Sequence, residues 1–441
     1  MPHVPPALAL AWLTACGEAS PPDAATTAAV PTERPNFVVI DVDSLRADRI
    51  GRRTPEGASL TPHIDALAER GTTFTQAWSN AGWTLPGITS LLTGRYPVPT
   101  QGDVRAVPML HADGHPLPDI LARYGYQAHA VWRGGELEVF RSVGMFPSQD
   151  FGGDGAPEAL LGDATRWLRA QERAPFFLFV HQFNLAHQED LNRPPAGPGH
   201  PEEAIRRYDA LVNRYDTVVG GIVDTLAQLG HDDDTVIVLT SDHGMDLAEH
   251  RPVLTVSSLN DSDLHIPLVI VDPARPNAPR GVDATVQGID LAPTLLARAG
   301  IPLDVHMDGR SVLPLLDDAA APWEERPVFG LVHADYVSMR TRAEKWVVEP
   351  AAGGATLRAR HLDLRADPGE QAPRWAPDPA KETGLAPLLA WRQTLTTRPE
   401  DTLLGAYGDA GVRFLQEHGY FGTIEDPRAS GPVPASGPRP P

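Results

Sequence analysis

Three short stretches of this 441-residue chain put carboxylates and imidazoles directly behind apolar runs. "NFVVIDVDSLR" (36–46) carries Asp41, Asp43 and Ser44. "FFLFVHQFNLAH" (176–187) carries His181, Asn184 and His187, and "TVIVLTSDHG" (235–244) carries Ser241, Asp242 and His243. Hard oxygens with imidazole nitrogens are the donor set of a divalent ion, without choosing among Ca²⁺, Mg²⁺, Mn²⁺ and Zn²⁺. Singly, each residue has a plainer use: an Asp after a strand caps the next helix, and a lone His sits in a core. Three clusters together favour a metal. Asp41, two residues before Asp43 and so on the same strand face, could contribute from a different angle. A fourth stretch, "AGWTLPGITSLLTG" (81–94), reads as a helix start and a glycine stop, with Thr84 at a cap-like position and Pro86 tolerated in the first turn. Thr84 can cap that helix or act as a nucleophile, because a helix N-terminus favours an attacked anion. Arg133, in "AVWRGGE", can grip a sulfate or phosphate bidentately or form an ordinary salt bridge. His250 reads as an exposed helix residue.

These residues need a frame to bring them together. The nearly continuous apolar runs are strands buried on both faces of a parallel sheet. Between them lie amphipathic stretches at 59–71, 117–125 and 202–230, so the chain reads as an α/β fold with a large, mostly parallel sheet flanked by helices. In such open sheets ligands bind at the carboxyl ends of the strands, where the clusters stand. From about 325 short antiparallel strands take over, followed by a helix near 385–396, which suggests a small C-terminal subdomain. The expected division is a catalytic domain over 36–320, the subdomain over 321–425 and a disordered Pro/Gly/Ser-rich tail over 426–441.

Composition narrows the function. With 42% hydrophobic residues the chain can bury a large core. Its net charge of −20, from 57 acidic and 37 basic residues, excludes sequence-independent nucleic-acid binding. The single cysteine, Cys16, ends a short apolar run whose Leu13-Thr14-Ala15-Cys16 resembles a bacterial lipobox. Residues 1–16 thus read as a signal peptide and 17–35 as a linker. The expectation is an exported protein, periplasmic or held at the membrane only through a lipid on Cys16.

The order of these motifs, with "TPHIDALAERGTTFTQAW", "LHIPLVIV", "IDLAPTLLARAGIP" and "DGRSVLPLL", resembles the sulfatase family of the alkaline phosphatase superfamily over about 36–370. The resemblance implies a catalytic metal on Asp43, Asp242 and His243, with Thr84 completing the sphere. It points to Ca²⁺ first, with Zn²⁺, Mn²⁺ and Mg²⁺ as alternatives. Ser44 holds the second acidic position of the family's first-strand pair. The family's Cys/Ser-x-Pro-Ser-Arg motif, whose first residue becomes formylglycine, is Thr84-Leu85-Pro86-Gly87-Ile88 here, so formylglycine chemistry is unavailable. Thr84 is similar instead to the nucleophile of the superfamily's Thr branch, which includes phosphodiesterases and phosphoethanolamine transferases. The family's active-site lysines have no counterpart, since the lysines are Lys345 and Lys381, and Ser257 stands where a His or Lys is usual. Arg133 is the best replacement cation, and His187 a general acid with His181 behind it. Asn184 stands where a second metal would want an Asp. The expected activity is hydrolysis of a sulfate or phosphate ester on a small molecule or glycan. The alternatives are a silent binding protein for an anionic glycan, or a phosphoryl-group transferase.

Overall fold

Strand β1 (Asn36–Val42) is buried at every position, as its apolar run requires. The computed structural model describes residues 34–97, 115–133, 140, 145–152, 156–171, 175–182, 201–250, 254–255, 258–333, 335–351, 356–376 and 378–395. After β1 come α1 (Pro62–Arg70), β2 (Thr72–Trp78), α2 (Thr84–Thr93), α3 (Leu117–Arg123), β3 (Gln127–Arg133) and β4 (Gln149–Gly152). Next are α4 (Pro157–Arg169), β5 (Phe176–Gln182), α5 (Pro201–Leu229) and β6 (Thr235–Thr240). A short ribbon of β7 (Asp246–Leu247) and β8 (Leu254–Thr255) precedes α6 (Asp261–Leu264), β9 (Leu268–Val271), β10 (Gly281–Gln287), α7 (Leu291–Arg298) and α8 (Leu313–Asp317).

The large sheet has the order β10-β2-β9-β6-β1-β5-β3-β4. Its pairs are parallel except at β9, which runs antiparallel to both β2 and β6. Alternation along β1 sends Phe37 and Val39 into a core layer with α2, α3 and α7, and Val38, Ile40 and Val42 into one with α1, α4 and α5. In α5, Tyr208, Val212, Tyr215, Val219, Ile222 and Leu226 recur every three or four residues and are all buried, which is the stripe a helix needs to cover a sheet.

The antiparallel elements expected after 325 form a second sheet of β11 (Val328–His333), β12 (Tyr336–Arg340), β13 (Glu344–Pro350), β14 (Leu357–Asp363) and β15 (Arg374–Ala376), in sequential order. Helix α9 (Ala386–Thr394) packs on it through Leu388 and Trp391. This sheet is stitched to the large one. The Leu331 N–H donates to Asn80 O (3.1 Å), Gly82 N–H to Leu331 O (3.2 Å) and Trp83 Nε1 to Val332 O (3.0 Å). Cys16, the 17–35 linker up to Glu33 and the Pro-rich tail lie outside the described residues. Among the described residues no helix is long and apolar enough to cross a membrane.

Candidate metal centre

Parallel pairing of β1 with both β5 and β6 aligns three carboxyl ends at one place. Asp41 stands opposite His181 on one side and Thr240 on the other. The chain leaves β1 through Asp43 and Ser44, and leaves β6 through Ser241, Asp242 and His243. All of these residues are at most 1% exposed.

Ser44 adopts φ 61°, the left-handed region that residues with a side chain rarely enter. That turn aims its N–H at Asp242 Oδ1 (3.2 Å) and its hydroxyl at Asp43 Oδ1 (2.9 Å). The serine in the family's acidic position therefore orients two carboxylates. Asp242 Oδ1 also accepts from the His243 N–H (2.9 Å), whereas Asp242 Oδ2 is buried and has no hydrogen-bond partner among the described residues.

Thr84 enters from α2. The N-cap residue is Trp83, in extended conformation, and no side chain caps the helix. Thr84 is the first helical residue and does not cap it; Oγ1 points to the centre, 3.2 Å from His243 Nε2 and 3.5 Å from Asp43 Oδ1. A Cβ at Gly87 would lie 2.5 Å from Asp242 O, so the glycine in the first turn lets α2 approach the Asp242 backbone.

His243 Nδ1 donates to Gly244 O (2.7 Å), so in the neutral ring Nε2 presents a lone pair. That nitrogen faces Asp43 Oδ1 at 3.3 Å and Asp242 Oδ2 at 3.6 Å. Acceptors facing acceptors in a dry interior are resolved by a cation. Burial pushes the Asp242 carboxyl up to about 7 against the pull of His243. Burial lowers the His243 imidazole, but Asp242 and Asp43 outweigh it and its value is raised. One ligand atom each of Asp43, Asp242 and His243 lies within 4.8 Å of the others. This donor set fits a divalent ion.

Other expected residues fall elsewhere. Asp41 does not join the Asp43 group; its Oδ2 accepts from His181 Nδ1 (2.8 Å), and the two group with Asp242 instead. His181 is fully buried at the end of β5, paired with Asp41. Arg133 lies one residue beyond Trp132, hence on the opposite sheet face from Asp41 and His181, and is buried in an ion pair with Asp163 of α4. Arg133 thus makes the salt bridge that stands as its alternative use. His250 is not on a helix; it is held by Asp246 Oδ2 (3.0 Å) and Gly369 O (3.1 Å). Lys345 is fully buried between Asp261 and Glu370, each at 2.8 Å. His187, Asn184 and Ser257 lie outside the described residues. Sequence reasoning missed Asn80, whose side chain ties Gln287, Phe329 O and the Ile289 N–H together beside the Thr84 turn. No local pattern marks it.

The family model described as Sulfatase matches residues 35–301. Arylsulfatase K of Bos taurus is 32% identical over 174 residues, which are 37% of this chain and 32% of that protein. The chain thus spans about a third of that relative's length. An endo-4-O-sulfatase of Bacteroides thetaiotaomicron is 25% identical over 379 residues, covering 66% of this chain and 74% of the relative. The solved phosphonate monoester hydrolase of Agrobacterium radiobacter superposes with a TM-score of 0.60 at 22% identity, over 82% of this chain and 95% of that one.

Proposed function

The chain belongs to the sulfatase family, and from that premise we propose a divalent-metal-dependent hydrolase of a sulfate or phosphate ester with Thr84 as its nucleophile. The observation that carries this reading is the convergence of Thr84 Oγ1, Asp43 Oδ1 and His243 Nε2 within 3.5 Å at the mouth of α2. An ion held by Asp43, Asp242 and His243, Ca²⁺ by family habit, would supply charge for an anionic ester and acidify the Thr84 hydroxyl. Asp43 Oδ1 stands in line to accept the Thr84 proton. Thr84 Oγ1 then bonds to the phosphorus or sulfur as the ester's leaving oxygen departs with a proton from solvent or His187. Water attacks the same centre in the second step, breaking its bond to Oγ1 and restoring the hydroxyl. A Thr ester, unlike a formylglycine hydrate, cannot expel sulfate by collapsing to an aldehyde, and phosphate monoesters are the more natural substrates.

The similarity to an endo-4-O-sulfatase supports an anionic ester, on a glycan or a small molecule, as the substrate class in this reading. In the same reading the protein is exported, either periplasmic or anchored at the membrane through a lipid on Cys16. The second reading, a silent binding protein, draws on Ile88, buried where the motif has an arginine, and on the diversion of Arg133 to Asp163. Paired assays on an aryl phosphate and an aryl sulfate separate the two. The parent should turn over one of them, and Thr84→Ala should lose about 10³-fold or more. Equal rates in folded parent, Thr84→Ala and Asp242→Asn would remove Thr84 from the mechanism, and binding without turnover under any divalent ion would leave the silent reading.

A further inference from the structure

Beside the Asp43 group lies a second cluster that shares only Asp242 with it. Asp41, His181 and Asp242 each place one ligand atom within 4.8 Å of the others. Ligand atoms at about 2.0–2.2 Å from one ion are spread no further than this. The three residues are 0%, 0% and 1% exposed. Asp41 Oδ2 accepts from His181 Nδ1, but Asp41 Oδ1 and Asp242 Oδ2 are buried without a hydrogen-bond partner among the described residues. Folded proteins almost always pair buried carboxylate oxygens, because an orphan in a dry interior keeps its desolvation cost with nothing in return. Two such oxygens beside one imidazole are a donor set that a cation would satisfy.

Charge points the same way. Asp41, Asp43 and Asp242 bring three buried carboxylates into one locus, and the strongest opposite charges on Asp41 and Asp242 are the imidazoles of His181 and His243. One divalent ion on the Asp43 side offsets two of the three carboxylates. We propose that the chain binds a second divalent transition-metal ion between Asp41, His181 and Asp242, with the Asp242 carboxylate shared between the two ions. The inference rests on the first ion occupying the Asp43, Asp242 and His243 group. A closed site of two carboxylates and one imidazole suits Zn²⁺ or Mn²⁺; Ca²⁺ asks for six to eight oxygens. Being fully buried, this ion touches no ester. It anchors Asp242 and sets the charge beneath the catalytic ion.

The test uses the full chain stripped with chelator, reloaded with Zn²⁺ or Mn²⁺ and freed of excess metal. Elemental analysis of the zinc form should find two ions in the parent. It should find one in Asp41→Asn, one in Asp43→Asn and none retained in Asp242→Asn. The manganese parent should show an exchange-coupled electron paramagnetic resonance spectrum, and Asp41→Asn the six-line spectrum of an isolated ion. His181→Gln, which keeps a hydrogen-bond donor for Asp41, repeats the count if Asp41→Asn misfolds by circular dichroism. One ion in the parent, lost in Asp43→Asn but kept in Asp41→Asn with an unchanged six-line spectrum, overturns the second site and leaves the first. Loss on Asp41→Asn but none on Asp43→Asn would put a single ion in the Asp41 cluster, overturning the first site and with it the shared pair.

Discussion

Ser44 pays for its left-handed backbone with about 1–3 kcal/mol of local strain, and what it returns is orientation: its N–H fixes Asp242 and its hydroxyl fixes Asp43. Groups that orient metal ligands typically govern about 10–100-fold in affinity. Ser44→Ala should therefore weaken zinc binding by about that factor, read by calorimetric titration, while Ser44→Thr retains most of it. Protons compete for the same atoms. Burial holds Asp242 near 7, and the ion takes only its carboxylate form. Metal uptake should accordingly weaken as pH falls below 7 and release protons, which titrations in buffers of different ionisation enthalpy will count. Affinity unchanged between pH 8 and 6 would show that Asp242 is not a ligand.

At the scale of elements, α2 is set by what it must approach. Gly87→Ala puts a methyl 2.5 Å from Asp242 O, where backbone cannot yield cheaply. An overpacking cost of about 1–3 kcal/mol is expected, together with a fall in turnover as Thr84 is pushed away; urea denaturation and an aryl-ester assay read the two. The junction of α6 with the small sheet depends on charge. Burial would raise the Asp261 carboxyl, but Lys345 and Arg340 outweigh it and hold it at about 2, below its ordinary 3.8. A depressed carboxylate contributes stability above its unfolded value and loses it as pH falls through the folded one. The urea midpoint should thus drop between pH 4 and 2, and Asp261→Asn should flatten that part of the profile. Lys345→Met, which leaves Glu370 buried without its cation, should cost about 3–5 kcal/mol.

Across the whole molecule, the small sheet does more than extend the core. Its strand β11 holds residues 80–83, the segment that delivers Thr84, through Asn80, Gly82 and Trp83. Trp83→Phe removes the indole N–H to Val332 O together with part of a buried ring, a loss of about 1–3 kcal/mol. If Thr84 is the nucleophile proposed above, kcat should fall with KM little changed; a change confined to KM would mean that β11 does not position Thr84. The net charge of −20 belongs to this scale too. It predicts no retention of the chain on double-stranded DNA even at low salt, where a phosphate-binding surface would be most evident.

The apolar runs ending in Asp43, His181 and Asp242-His243 were enough to read a parallel sheet with its chemistry at the carboxyl ends. The reason is that a strand buried on both faces leaves only its end free for polar groups. Thr84 was legible from the helix start that carries it. What sequence could not decide was side-chain direction across strands. Asp41 shares a strand face with Asp43, yet it meets His181 of the neighbouring strand, and Arg133, one residue past the Asp41 row, points away to Asp163. Register and face are set by pairing between segments far apart in the chain. Only the tertiary structure therefore sorts these residues into the Asp43 group beside Thr84, a second buried cluster and an ion pair.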